Sequence, residues 1–210
     1  MDELRPGDIV SANIDGMPCA GYVWQQTPTQ LLLSYVHPQN AYADSPYCTF
    51  ERAGINQIEC LRPADRRYPA LEEILVKKER YPLHYLGLHD NVVGPLYPRR
   101  RGEEPYLSLP FFTNPGDLIE IVIPAKFDEV PPKLRRGVKN YRTEERRCGY
   151  SWGERHGDGC IILSLTHPQH ARVDTNHCHA APFQVMPVFF SREQQGRYPH
   201  EELILGDVNR

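Results

Sequence analysis

The stretch LLLSYVHPQNAYAD (31–44) returns, altered, as IILSLTHPQHARVD (161–174), and no other feature of the chain constrains its fold as strongly. Leu33, Ser34, His37, Pro38, Gln39, Ala41 and Asp44 recur as Leu163, Ser164, His167, Pro168, Gln169, Ala171 and Asp174 at a constant offset of 130. The same offset sets Cys48 against Cys178, Ile55 against Val185, Ile58 against Val188, and RYPALEEIL (67–75) against RYPHEELIL (197–205). Upstream, GYVW (21–24) meets GYSW (149–152), and PGDIV (6–10) meets PGDLI (115–119). Chance similarity does not keep one register over such distances, so an internal duplication is expected. The copies cover 1–80 and 113–210, joined by a connector at 81–112, and the second copy holds an insertion at 125–147. A chain of 210 residues has room for two small domains.

Each copy has the pattern of short strands. The chain has 20 prolines and 12 tyrosines, a balance that disfavours long helices and suits pleated surfaces. GDIVSANI, PCAGYVWQQ, QLLLSYVH, YCTFERAG and NQIECLR are five strand candidates separated by turn signals. Leu31, Leu33 and Tyr35 alternate onto one face. Gly21 lies inside a strand, where glycine permits a bend or a close backbone approach. YPALEEILVKKE predicts a short helix after the first copy, with Pro69 at its first position and Leu71, Ile74 and Leu75 as its apolar stripe. The connector is long for a structureless loop and predicts packing across the two units or an added strand at YLSLPFF (106–112).

Gly7 and Asp8 before the first strand, DGMPCAGYV followed by LLLS, and a late AGINQIECL give each copy an outline that resembles the SH3-like small barrels of the Sm, Tudor and KOW type. The resemblance is one of pattern and covers most of each copy. It implies a mainly-β protein made of two tandem five-stranded barrels, each followed by a short helix. In Sm proteins such barrels oligomerise around RNA through loop residues that have no evident match here.

Three groups of side chains are candidates for chemistry. Cys19, His37 and Cys48 in the first copy, and Cys148, His167 and Cys178 in the second, are thiol and imidazole groups that a meander brings toward one end of a barrel. Thiolate and imidazole are zinc's preferred donors, and His170, His177 or His179 would supply a fourth in the second copy, the first choice giving Cys148, His167, His170 and Cys178. Asn40 stands where His170 would be in the first copy, and the small-thiol alternative is plain core packing. His37-Pro38-Gln39 and His167-Pro168-Gln169 are either binding loops or turns that hold strand register. Tyr22, Trp24, Tyr150 and Trp152 would stack on bases or enclose a methylated amine if exposed, and fill the core if buried.

The insertion 125–147 has eight basic and four acidic residues, a balance of +4 in a chain of net charge −3, so the remainder carries −7. Lys133, Arg135, Arg136, Lys139 and Arg142 are the candidate phosphate contacts. A solvated loop is the alternative. No apolar run reaches membrane-span length, and the acidic MDELRPGDIV start lacks the pattern of a signal peptide, so a cytoplasmic protein is expected. There is no GxSxG, HExxH, phosphate-cradling glycine loop or dinucleotide fingerprint. PGDIV and PGDLI resemble the opening strand of MazF-type toxin ribonucleases, which are also SH3-like barrels, but the RPALVLS-like strand of that family has no match here. The expected function is therefore a non-catalytic binding or adaptor protein with a nucleic-acid or protein partner. Zinc binding and a MazF-like ribonuclease are the alternatives, and homo-oligomers through exposed strand edges are a further expectation.

Overall fold

The computed structural model describes residues 3–41, 45–68, 92–93, 113–124, 144–154, 161–172, 174–180, 186–194 and 198. The structure is mainly β. In the first half, β1 (Ile9–Ile14), β2 (Met17–Gln26), β3 (Gln30–Ser34), β4 (Cys48–Glu51) and β5 (Ile55–Arg62) form an antiparallel sheet in the order β4-β3-β2-β1-β5. Asp15 and Gly16 close the first hairpin with φ of 50° and 83°, the left-handed pair that a two-residue hairpin turn requires. A single 3-10 turn, Arg52–Gly54, links β4 to β5.

In the second half, β7 (Leu118–Pro124), β8 (Glu144–Glu154), β9 (Ile161–Ser164), β10 (His177–Ala180) and β11 (Met186–Ser191) repeat this order, with β11 taking the place of β5. One further strand, β6 (Val92–Val93), lies parallel against β10. The connector therefore does contribute a strand, at 92–93, while YLSLPFF lies outside the described residues. The helices expected after each copy (69–79 and 199–205) also lie outside them. Among the described residues no helix is long and apolar enough to cross a membrane.

The register matches as closely as the order. Tyr22 pairs with Ser34 and Tyr150 with Ser164, and both β2–β3 and β8–β9 carry a bulge one residue further on. The match to the sequence register fails in β11. Ser11 faces Glu59 where Glu120 faces Val188, so Val188 occupies the position of Glu59, one step from the Ile58 that sequence alignment gives it. A one-residue slip reverses the faces of a strand, and Val188 is accordingly 39% exposed.

The two halves share one core, which draws Ile9, Tyr22, Trp24, Leu31 and Leu33 from one and Ile119, Ile121, Ile161, Leu163 and Cys178 from the other. Their backbones also interlock reciprocally. Ala20 N–H donates to the Leu165 carbonyl (2.9 Å), and Cys148 N–H donates to the Tyr35 carbonyl (2.9 Å). His167 N–H reaches the Pro18 carbonyl (3.2 Å), and His37 N–H reaches the Arg146 carbonyl (3.1 Å). The residues following β3 thus pair with β8, and those following β9 pair with β2. The repeated stretch that opens the sequence is the clasp between the halves.

Candidate functional site: the paired histidine turns

A histidine before proline is held extended, and His167 has φ −60° and ψ 139°. The chain then turns: His37 C=O accepts from Asn40 N–H (2.8 Å), and His167 C=O accepts from His170 N–H (2.9 Å). Inside each turn the imidazole Nδ1 accepts the backbone N–H of the glutamine, Gln39 at 3.1 Å and Gln169 at 3.3 Å. An Nδ1 that accepts leaves the proton of a neutral ring on Nε2. In the second half that Nε2 lies 3.0 Å from Glu193 Oε1 and donates to it. A general base needs an available lone pair, and here the lone pair is spent on the turn's own backbone. The two histidines shape the seam.

Each ring is gripped edge-on by two tyrosines. Tyr22 and Tyr68 lie 4.7 Å on either side of His37, and Tyr150 and Tyr198 lie 5.0 and 5.1 Å from His167. Burial lowers the His37 pKa to about 3, with the charges of Arg146, Arg62 and Arg66 acting in the same direction and Asp65 opposing. Tyr68 donates to Asp65 at 2.5 Å, which holds that carboxyl below its ordinary range. In the second half Tyr198 donates to Glu193. The clusters share a plan and differ in charge: Arg66 and Arg146 accompany Asp65 around the first, whereas Glu193 bonds directly to the second histidine.

The inner tyrosines reach across the seam. Tyr150 bonds to Ser11, and Tyr22 donates to the equivalent residue, Glu120. Glu120 is fully buried and also pairs with Arg62. Its Oε2 has no hydrogen-bond partner. Burial acts against the charge on Arg62, but the bond to Glu120 and its charge outweigh it and raise the guanidinium's pKa. Removing one member of such a pair leaves a charge in the core, at about 3–5 kcal/mol for full burial. The Arg62 side chain is 36% exposed, so Arg62→Ala is expected to cost about 2–3 kcal/mol after discounting for solvent screening. Glu120→Gln in the same chain should recover at least about 1 kcal/mol in urea melts, and strictly additive losses would refute the pairing.

The remaining sequence candidates separate. Trp24 and Trp152 are buried, and their indole N–H groups donate to the Val36 and Thr166 carbonyls at 2.8 Å each. Tyr22 and Tyr150 are also buried. None of the four is an exposed stacking surface; among the described residues Tyr47, 42% exposed and packed on Trp24, is the most open aromatic. Gln169 is exposed, and Gln39 and His170 are half-buried, so these are the parts of the turns that remain accessible. Among the described residues no three His, Cys, Asp or Glu side chains gather to hold a metal, so Cys148, His167, His170 and Cys178 do not form one group. Burial, then Cys48, pushes the Cys19 thiol up to about 12, and burial, then Glu120, raises Cys148 well above its ordinary range. Both are neutral thiols in the core.

Asn40 and His170 differ for a local reason. Asn40 Oδ1 accepts the Arg146 N–H (3.0 Å), whereas the residue facing His170's turn is Pro18, which has no N–H to satisfy. Lys133, Arg135, Arg136, Lys139 and Arg142 lie outside the described residues. The end of the predicted insertion is corrected: β8 begins at Glu144, and Arg147 is a buried strand residue whose guanidinium lies 5.7 Å from the Tyr35 ring. Residue type alone does not single out Tyr68 and Tyr198, although both stand in the repeated RYP. Glu120 had a fainter signal, one carboxylate in the apolar run LIEIVI. No family model, curated protein or solved structure matches the chain.

Proposed function

We propose that this chain is a non-catalytic binding protein built from two duplicated SH3-like barrels, and that it contacts nucleic acid through residues 125–143. One comparison between the halves carries the reading. In β1–β2, Ile14 pairs with Met17 around the two-residue turn Asp15-Gly16; in β7–β8, Ile123 pairs with Glu145 around a far longer link. Otherwise matching hairpins thus differ by one extension, and 125–143 has six basic residues against two acidic ones. A segment of +4 on a body of −7 concentrates positive potential at one hairpin, which attracts phosphate. The histidine turns, with their lone pairs engaged, support a binding role over a catalytic one.

Anisotropy titrations of labelled single-stranded RNA and duplex DNA between 50 and 300 mM salt test this. The logarithm of the affinity is expected to fall with log salt at a slope of roughly −3 to −5, as four to six phosphate contacts require. Replacing 125–143 by Asp-Gly, the turn used in the first half, should remove that dependence. No binding at 50 mM salt rejects the nucleic-acid reading, and cleavage of the RNA rejects the non-catalytic one.

A further inference from the structure

The extension does not hang from a neutral surface. Two residues inside β8 from its start after the extension, Arg146 is fixed on the first histidine turn from both sides: its carbonyl accepts His37 N–H (3.1 Å), and its N–H donates to Asn40 Oδ1 (3.0 Å). On the same turn, Gln39 Oε1 accepts from the Arg66 guanidinium at 2.7 Å. Arg66 also lies over the Tyr68 ring, 5.1 Å from its centroid. Arg66 is exposed, while Gln39 and Arg146 are half-buried. A guanidinium braced by an amide and a ring loses less freedom on meeting an anion than a lysine on a loop, and its planar fork matches phosphate.

The second half has no counterpart. Pro18 stands opposite its turn in place of Arg146, and Glu193 supplies a carboxylate directly on His167. Arg192 is turned toward Asp117 (3.7 Å) and the Phe189 ring (4.5 Å). Two histidine turns of like geometry therefore differ in charge: Arg66 and Arg146 outnumber Asp65 at the first, Glu193 sits on the second, and the first adjoins the extension.

We propose that the Gln39–Arg66–Arg146 face of the first histidine turn is a built phosphate site, at which the backbone of a nucleic acid held by residues 125–143 continues onto the folded body. This rests on the nucleic-acid reading above and adds a fixed contact to it. Glutamine and arginine in this arrangement recognise phosphate without reading base identity.

The test compares Arg66→Ala with Arg192→Ala, which remove the same charge from equivalent regions of the two halves. Binding of a labelled 20-nucleotide RNA is measured across salt, with the thermal midpoint of each variant as the folding control. Arg66→Ala is expected to weaken binding about tenfold at 100 mM salt and to reduce the salt slope by about one. Arg192→Ala should change affinity less than twofold. Arg66→Lys should restore the slope and only part of the affinity, because charge returns without the fork. Equal effects of the two alanine variants would overturn the phosphate site while leaving the extension as a binder. Loss of all wild-type binding would remove both.

Discussion

Gly149→Ala is expected to destabilise the protein by more than about 4 kcal/mol, lowering the thermal midpoint by more than about 10 °C. A Cβ at this position would stand 2.3 Å from the Ser164 carbonyl oxygen and 2.9 Å from its carbon. Those atoms are backbone, so no rotamer relieves the contact. β8 and β9 would have to part beside the Tyr150–Ser164 pair, where Cys148 N–H also bonds across the seam to Tyr35. Gly149 has no left-handed φ, so its role is close approach and not conformational freedom. Gly21→Ala at the matching site should cost less. Its nearest atom is a Leu165 methyl at 2.4 Å, which can move, although the Ser34 oxygen at 2.8 Å cannot. A Gly149→Ala protein melting within about 3 °C of the parent would show that the strands are not locked this closely.

Acid should unfold this protein from a higher pH than carboxylates alone would set. His37 titrates near 6.5 when the chain is unfolded and near 3 in the folded state, because burial excludes the charged ring. Between these values the unfolded chain binds a proton that the folded one does not, so stability rises with pH across this window. The contribution is complete above pH 6.5, falls through the window, and is gone below about 3. At about 1.4 kcal/mol per pH unit, the loss on full acidification is at most roughly 5 kcal/mol. Asp65, held low first by the Tyr68 hydroxyl, adds a loss of the same sign at more acid pH. His37→Asn keeps an oxygen acceptor for the Gln39 amide and does not titrate. It should be less stable at neutral pH and show a flatter profile from pH 6.5 to 3.5 in urea melts. Identical slopes in parent and variant would place the acid sensitivity elsewhere.

A second set of HPQ residues at a fixed offset announced that the chain says one structural thing twice, and alternation with turn residues announced strands. These signals are local: side-chain period, proline and glycine act within a few residues of themselves, so β1 to β5 could be delimited from sequence. The reason for the repeat was not local. His37 and His167 look like ligands in a one-dimensional chain because imidazole so often is one. Only packing shows that each turn bonds to the other half and that each ring is enclosed by one tyrosine from a strand and one from the RYP segment beyond the last strand of its half.

Electrostatic character followed the same division. Composition located a positive segment at 125–147, since charge is counted without coordinates, and only the start of β8 at Glu144 cut it to 125–143. That Arg66 and Arg146 meet on one turn, and that a buried Glu120 takes the place of the half-buried Ser11, depended on strand register, which couples residues far apart in sequence. Even the repeat misled where register slipped, setting Val188 against Ile58 when pairing sets it against Glu59. What the amino-acid order determined by itself was the two-fold plan, the strands and the charge distribution. The tertiary structure alone decided which repeated residues face inward, because burial is a property of neighbours supplied by the other half of the chain.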